Sequence, residues 1–180
     1  MSKNAGSSTF IYGWPSYKWT NLTREGIPPS YTDENGNVIS LTEYPSLDYP
    51  LMRLAEAYLN YAEAAVRKSG GTCTDALALE KLNELRHRAK IQAEDLSSFT
   101  LDYIFGERSR ELYWEAFRRT DLIRFGKYSG NDYTWEFKNG TFPGSAVPKY
   151  RELFPIPASD IGANPNLTQN PGYDNAVSNQ

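Results

Sequence analysis

Leu51-Met52-Arg53-Leu54-Ala55-Glu56-Ala57-Tyr58-Leu59-Asn60-Tyr61-Ala62-Glu63-Ala64-Ala65-Val66-Arg67-Lys68 repeats its apolar residues with the period of a helix. Leu51, Leu54, Tyr58, Ala62 and Ala65 recur at three and four residues, and Met52, Ala55, Leu59 and Val66 widen the stripe. Pro50 stands at the entrance and Gly70-Gly71 follow the end, the asymmetry that helix termini prefer. The spacing therefore predicts an amphipathic helix from about Leu51 to Lys68.

Working outward, Leu77, Leu82, Leu85 and Ala89 predict a second helix from about Thr74 to Lys90. The short Gly-Gly connection makes the two helices antiparallel neighbours. Ser97 to Thr100 offer N-caps for a third helix, Asp102 complements its dipole, and the pattern continues to about Phe125, where Gly126 ends it. Residues 1–48 form an aromatic, proline-punctuated segment, in which Asp33-Glu34-Asn35-Gly36-Asn37 before Val38-Ile39-Ser40 reads as a hairpin turn. The same stretch has the acid spacing of a calcium loop, but Val38 and Tyr44 replace the glycine and glutamate such a loop needs, so a turn is the reading. Residues 127–180 are a loop-rich tail, extended at Leu153-Phe154-Pro155-Ile156-Pro157 because each residue before proline avoids the helical region.

The fold class is mainly α: a helix-pair fragment of a tetratricopeptide-like α-α superhelix, with long aromatic loops and a short β-hairpin. We expect residues 1–180 to form a single domain, with 49–126 as its helical core. One helix pair is present where a free solenoid needs about three repeats, which reads as part of a larger stack.

Composition narrows the chemistry. A net charge of −3 gives no footprint for nucleic acid. One Cys and one His leave no intrachain disulfide and no His/Cys metal site, so we expect no metal and no cofactor; a Ser-His-Asp arrangement would have to use His87, and nothing around it reads as a nucleophile turn. The aromatic share is 14%, with 13 Tyr and 4 Trp, residues that combine apolar area with a polar handle.

Two sets of residues are candidates for function. Arg53, Glu56 and Glu63 on the first helix face a charged third helix carrying Glu107, Arg110, Glu111, Glu115, Arg118, Asp121 and Arg124. Paired carboxylates of this kind flank the sugar in a glycosidase. The neighbouring arginines, however, keep carboxylates ionised, whereas a general acid needs a raised pKa, so these residues read as structural ion pairs. The second set is aromatic. Trp14, Tyr17 and Trp19 in the first segment, and Tyr133 and Trp135 in the late loop, lie where periodicity demands no burial. An exposed aromatic face stacks on the apolar face of a pyranose, so these five are the candidate ligand contacts.

Three segments in order resemble the SusD/RagB family of nutrient-binding outer-membrane lipoproteins. They are Tyr49 to Ala64, then Glu107-Arg108-Ser109-Arg110-Glu111-Leu112 with Arg118 to Gly126, then Leu153-Phe154-Pro155-Ile156-Pro157 through Asn164 to Tyr173. The resemblance spans about residues 45–173 and matches the family's C-terminal region. It implies a non-catalytic, cell-surface binding protein that captures oligosaccharide or polysaccharide. It also implies a SusC-like TonB-dependent transporter as partner, and attachment to the outer membrane through a lipidated N-terminal Cys that this chain lacks. The family motifs map onto structural positions here, so no ligand residue carries over. The alternative is a structural or protein-interaction domain that docks on the transporter, with ligand contacts made by the missing N-terminal portion; a hydrolase built on Glu107, Glu111 or Glu115 is a third class.

Overall fold

The structure, a computed structural model, describes residues 25, 30–40, 49–91 and 94–173. Cα packing divides the chain into two compact units, Met1–Tyr58 and Leu59–Gln180.

In the first unit, strands β1 (Ser30–Thr32) and β2 (Val38–Ser40) pair antiparallel, with Tyr31 opposite Ile39. The Asp33 carboxylate closes their turn by accepting the backbone N–H groups of Asn35 and Asn37 at 2.9 and 2.8 Å. Its second oxygen accepts Asn37 Nδ2 at 3.0 Å. Both carboxylate oxygens thus serve the turn, as an Asx turn requires.

Helix α1 (Leu54–Ser69) starts three residues later than the spacing predicts. Its buried line is Ala55, Leu59, Ala62 and Val66, whereas Leu51, Met52 and Leu54 are exposed. Ala55, Leu59 and Val66, which widen the stripe in the sequence pattern, thus turn inward together with Ala62. Helix α2 (Ala76–Arg88) is capped by Asp75, whose side chain accepts the Ala78 N–H at 2.9 Å. Buried Cys73 exchanges both backbone hydrogen bonds with Phe99, at 2.8 and 3.0 Å, which fastens the two ends of this segment together. The Asn83 amide does the same for Leu96, donating to its carbonyl and accepting its N–H. Helix α3 (Leu101–Glu111) begins at Thr100, whose hydroxyl accepts the Tyr103 N–H.

The predicted third helix does not run unbroken to Phe125. It ends at Glu111, turns through Leu112 to Phe117 and resumes as α4 (Arg118–Arg124). Trp114 and Ala116 take left-handed backbone angles, each with φ 62°. The physical reason is a long-range pair. In a continuous helix, Arg108 and Asp121 would lie about 20 Å apart along the axis; the break folds α4 back so that their side chains meet at 2.9 Å. Gly126 then ends α4 at positive φ, as expected. The tail adds two short 3₁₀ turns and helix α5 (Ala158–Ala163). Among the described residues, no helix is long and apolar enough to cross a membrane.

Candidate functional site

The charged residues of α1, α3 and α4 form one connected chain. Arg108 donates from Nε to Asp121 at 2.9 Å and from Nη1 to Asn60 Oδ1 at 2.7 Å. Arg124 donates to Asp121 at 2.8 Å and grips both oxygens of Glu63, at 2.9 and 2.8 Å. Arg67 adds a further bond to Glu63 at 2.9 Å. Burial pushes the Glu63 carboxyl up, but the hydrogen bonds from Arg124 and Arg67 outweigh it and hold the group below its ordinary value. The Glu63 bonds in turn raise the Arg124 guanidinium.

Glu107 pairs with Arg110 at 2.6 Å, the i, i+3 partner that the spacing suggests. Glu111 receives Arg88 of α2 at 2.6 Å. Arg118 lies 3.9 Å over the Phe105 ring and donates to the Tyr133 hydroxyl at 3.1 Å. Arg53 and Glu56 stand at the start of α1 and belong to the first compact unit. Glu107, Glu111 and Glu63 thus have guanidinium partners, within α3 for Glu107 and between helices for Glu111 and Glu63.

The late loop is built differently. Gly130 donates to Val147 across its neck at 2.9 Å. Lys138, only 1% exposed, turns its ammonium inward and donates to the carbonyls of Gly130, at 3.2 Å, and Tyr133. Its own backbone donates to Trp135 and accepts from Ser145, both at 3.0 Å. Gly144, at φ 109°, lets the chain pass so close that an added Cβ would sit 2.3 Å from the Trp135 carbonyl.

This frame presents two aromatic rings. Tyr133 is half-buried, edge-on to Phe105 at 5.3 Å, and its hydroxyl is bound by Arg118. Trp135 lies 5.8 Å from Tyr133 at 52° and is 40% exposed, with the Lys138 ammonium 5.0 Å from its ring. The two late-loop candidates are therefore neighbours, one anchored and one open to solvent. Trp14, Tyr17 and Trp19 lie outside the described residues.

Sequence reasoning missed Lys138, which carries no spacing signal for burial, and the exposed pair Phe137 and Phe142, 5.7 Å apart. It also placed Tyr113 and Trp114 inside a continuous helix, whereas the break leaves both exposed.

The family model described as the SusD family matches residues 2–173. The starch-binding protein SusD of Bacteroides thetaiotaomicron is 40% identical over 166 residues, which take in 92% of this chain and 27% of that protein. A SusD-like protein of Bacteroides ovatus is 34% identical over 117 residues, 64% of this chain and 21% of that one. The chain thus spans about a quarter of the length of these relatives. Surface glycan-binding protein A from Bacteroides uniformis superposes with a TM-score of 0.55 at 24% identity, over 78% of this chain and 36% of that one, a likeness of fold alone. A SusD superfamily protein from Parabacteroides distasonis gives a TM-score of 0.55 at 26% identity, over 75% of this chain and 29% of that one.

Proposed function

This chain belongs to the SusD family, and from that membership we propose that it is part of a non-catalytic surface component that captures oligosaccharide or polysaccharide for uptake through a SusC-like TonB-dependent transporter. The parent protein is held at the outer membrane, facing outward, by a lipid anchor. The observation that carries a local binding role is Trp135: an exposed indole beside Tyr133, on a loop immobilised by the buried Lys138 ammonium. A ring held in place loses little freedom when a pyranose stacks on it, and the preorganisation raises affinity. Guanidinium partners on Glu63, Glu107 and Glu111 favour a protein that binds and releases glycan unchanged.

A docking role is the second reading, favoured by the exposed side chains of Leu51, Met52 and Leu54. Three neighbouring apolar side chains in water are the kind of surface that a partner covers. Calorimetric titration with a panel of oligosaccharides separates the two. Heat from at least one glycan, lost in Trp135→Ala, supports capture by this part of the protein. Silence across the panel, with retained association with the transporter, selects docking.

A further inference from the structure

A shallow hollow of about 400 Å³ lies along the seam of α1 and α4, lined by Asn60, Glu63, Ala64, Arg67 and Arg124. It is separate from the residues of the aromatic loop. Its polar lining is dominated by donors. Arg124 uses Nε and Nη2 on Glu63 and Asp121, and Arg67 uses Nε and Nη2 on Glu63. Nη1 of each arginine has no partner among the described residues, and neither does Nδ2 of Asn60. Both guanidinium side chains are partly open, at 40% and 41% exposed.

The local charge is unbalanced in the same sense. Three guanidiniums, Arg67, Arg108 and Arg124, meet two carboxylates, Glu63 and Asp121, within one hydrogen-bonded chain. Among the described residues, this bonded chain therefore carries one guanidinium more than it has carboxylates, and two of the three, Arg67 and Arg124, line the concave surface. Arg67 and Arg124 also flank the Phe125 ring, at 4.9 and 5.4 Å, which limits the directions in which the guanidinium planes can turn. Two arginines held in orientation, with unused N–H groups, suit a planar oxyanion that accepts from both.

We propose that this hollow binds the carboxylate of a hexuronic acid residue, so that the glycan class recognised is acidic. The class rests on the glycan-capture reading above; the anion site itself does not. A carboxylate supplies the missing negative charge and accepts from the Nη1 groups, while Asn60 Nδ2 offers a donor to a ring hydroxyl. Ala64 is exposed on the wall of the hollow and makes no polar contact that a substitution would break.

The test uses this chain with two probes. In the first, free glucuronate is titrated at low salt while the Nε–H resonances of Arg67 and Arg124 are followed by NMR. Saturable shifts of these two signals, abolished in Ala64→Glu and weakened at 0.5 M salt to roughly a tenth, are expected. The introduced carboxylate occupies the hollow without removing any group of the ion-pair chain, and its thermal midpoint checks that the variant folds. In the second, a galacturonic acid oligosaccharide and its neutral galactose counterpart are titrated by calorimetry. The acidic sugar should bind roughly tenfold more tightly, a difference that Ala64→Glu erases. Equal affinities, or glucuronate shifts unchanged in Ala64→Glu, overturn the proposal. Glucuronate binding at the hollow with no oligosaccharide binding of either kind keeps the anion site and overturns the acidic-glycan assignment.

Discussion

Arg108 on α3 and Asp121 on α4 pair at 2.9 Å with each side chain only 2% exposed, across thirteen residues that include the helix break. A buried pair of this kind resists the loss of one partner far more than the loss of both, because removing one leaves an uncompensated charge in a medium of low dielectric. Asp121→Asn should therefore cost about 3–5 kcal/mol in urea unfolding. The double change Arg108→Met with Asp121→Leu should recover most of that loss. A single variant that unfolds at the same urea concentration as the parent would show that the pair does not hold α4 against α3.

The Glu63 carboxyl sets a pH dependence whose sign is definite. Its pKa in the folded chain is depressed below the ordinary 4.5 by Arg124 and Arg67 despite the opposing effect of burial. The folded state thus holds the proton less readily than the unfolded state does. Its stabilising contribution is present above about pH 4.5, declines as pH falls, and disappears once pH passes below the folded value. Glu63→Gln should be less stable than the parent at pH 7, and the gap should narrow as pH falls below 4.5. Unfolding midpoints across that range measure the convergence; parallel curves would show that Glu63 is not the group responsible.

The division between what the chain's residues foretold and what they did not follows distance along the sequence. Helices α1 and α2 were legible because their apolar residues recur within one or two turns, and Glu107 with Arg110 because they stand three apart. The break after Glu111 was not legible. Leu112 to Phe117 contain neither glycine nor proline, and the left-handed conformations at Trp114 and Ala116 occur where the chain folds back to let Arg108 meet Asp121. Lys138 was invisible for a related reason: its acceptors are the carbonyls of Gly130 and Tyr133, which only the closed loop brings together. Of the five aromatic candidates, Tyr133 and Trp135 are neighbours, and Trp14, Tyr17 and Trp19 lie outside the described residues.

Tyr133 and Trp135 should separate when each is altered. Tyr133→Phe keeps the ring against Phe105 and removes only the hydroxyl that accepts from Arg118, so it should cost about 1 kcal/mol of stability with little change in glycan affinity. Trp135→Ala removes a half-open ring at the surface, so stability should change by less than about 1 kcal/mol, while glycan heat falls below detection. Equal glycan binding by the Trp135 variant and the parent would remove this loop from the binding surface.

Lys138→Met tests whether the loop must be held for its aromatic rings to work. The substitution keeps the length of the side chain and removes the ammonium, leaving the Gly130 and Tyr133 carbonyls short of a donor. The cost should be about 1–3 kcal/mol, read as faster hydrogen exchange at Gly130 and Ser145. Glycan affinity should fall with it, because a looser Trp135 must be ordered on binding. Fast exchange with unchanged affinity would mean that the ring binds without preorganisation.

Ala116→Gly and Gly144→Ala should move stability in opposite directions, and the contrast tests the backbone of both loops at once. Ala116 holds φ at 62°, a conformation that its Cβ disfavours by about 1–2 kcal/mol. Glycine relieves that strain and gives back part of the gain through the freedom it adds to the unfolded chain, so a net increase of up to about 1 kcal/mol is expected. Gly144 sits at φ 109° with the Trp135 carbonyl in the space a Cβ would fill, and that neighbour is backbone, which has little room to shift. Alanine there forces the loop open at the residue presenting the indole. A loss of about 2 kcal/mol or more should accompany the change, together with weaker glycan binding. Denaturant midpoints of the two single variants decide the matter: a neutral Gly144→Ala would mean that the loop does not close as tightly on Trp135 as the geometry requires.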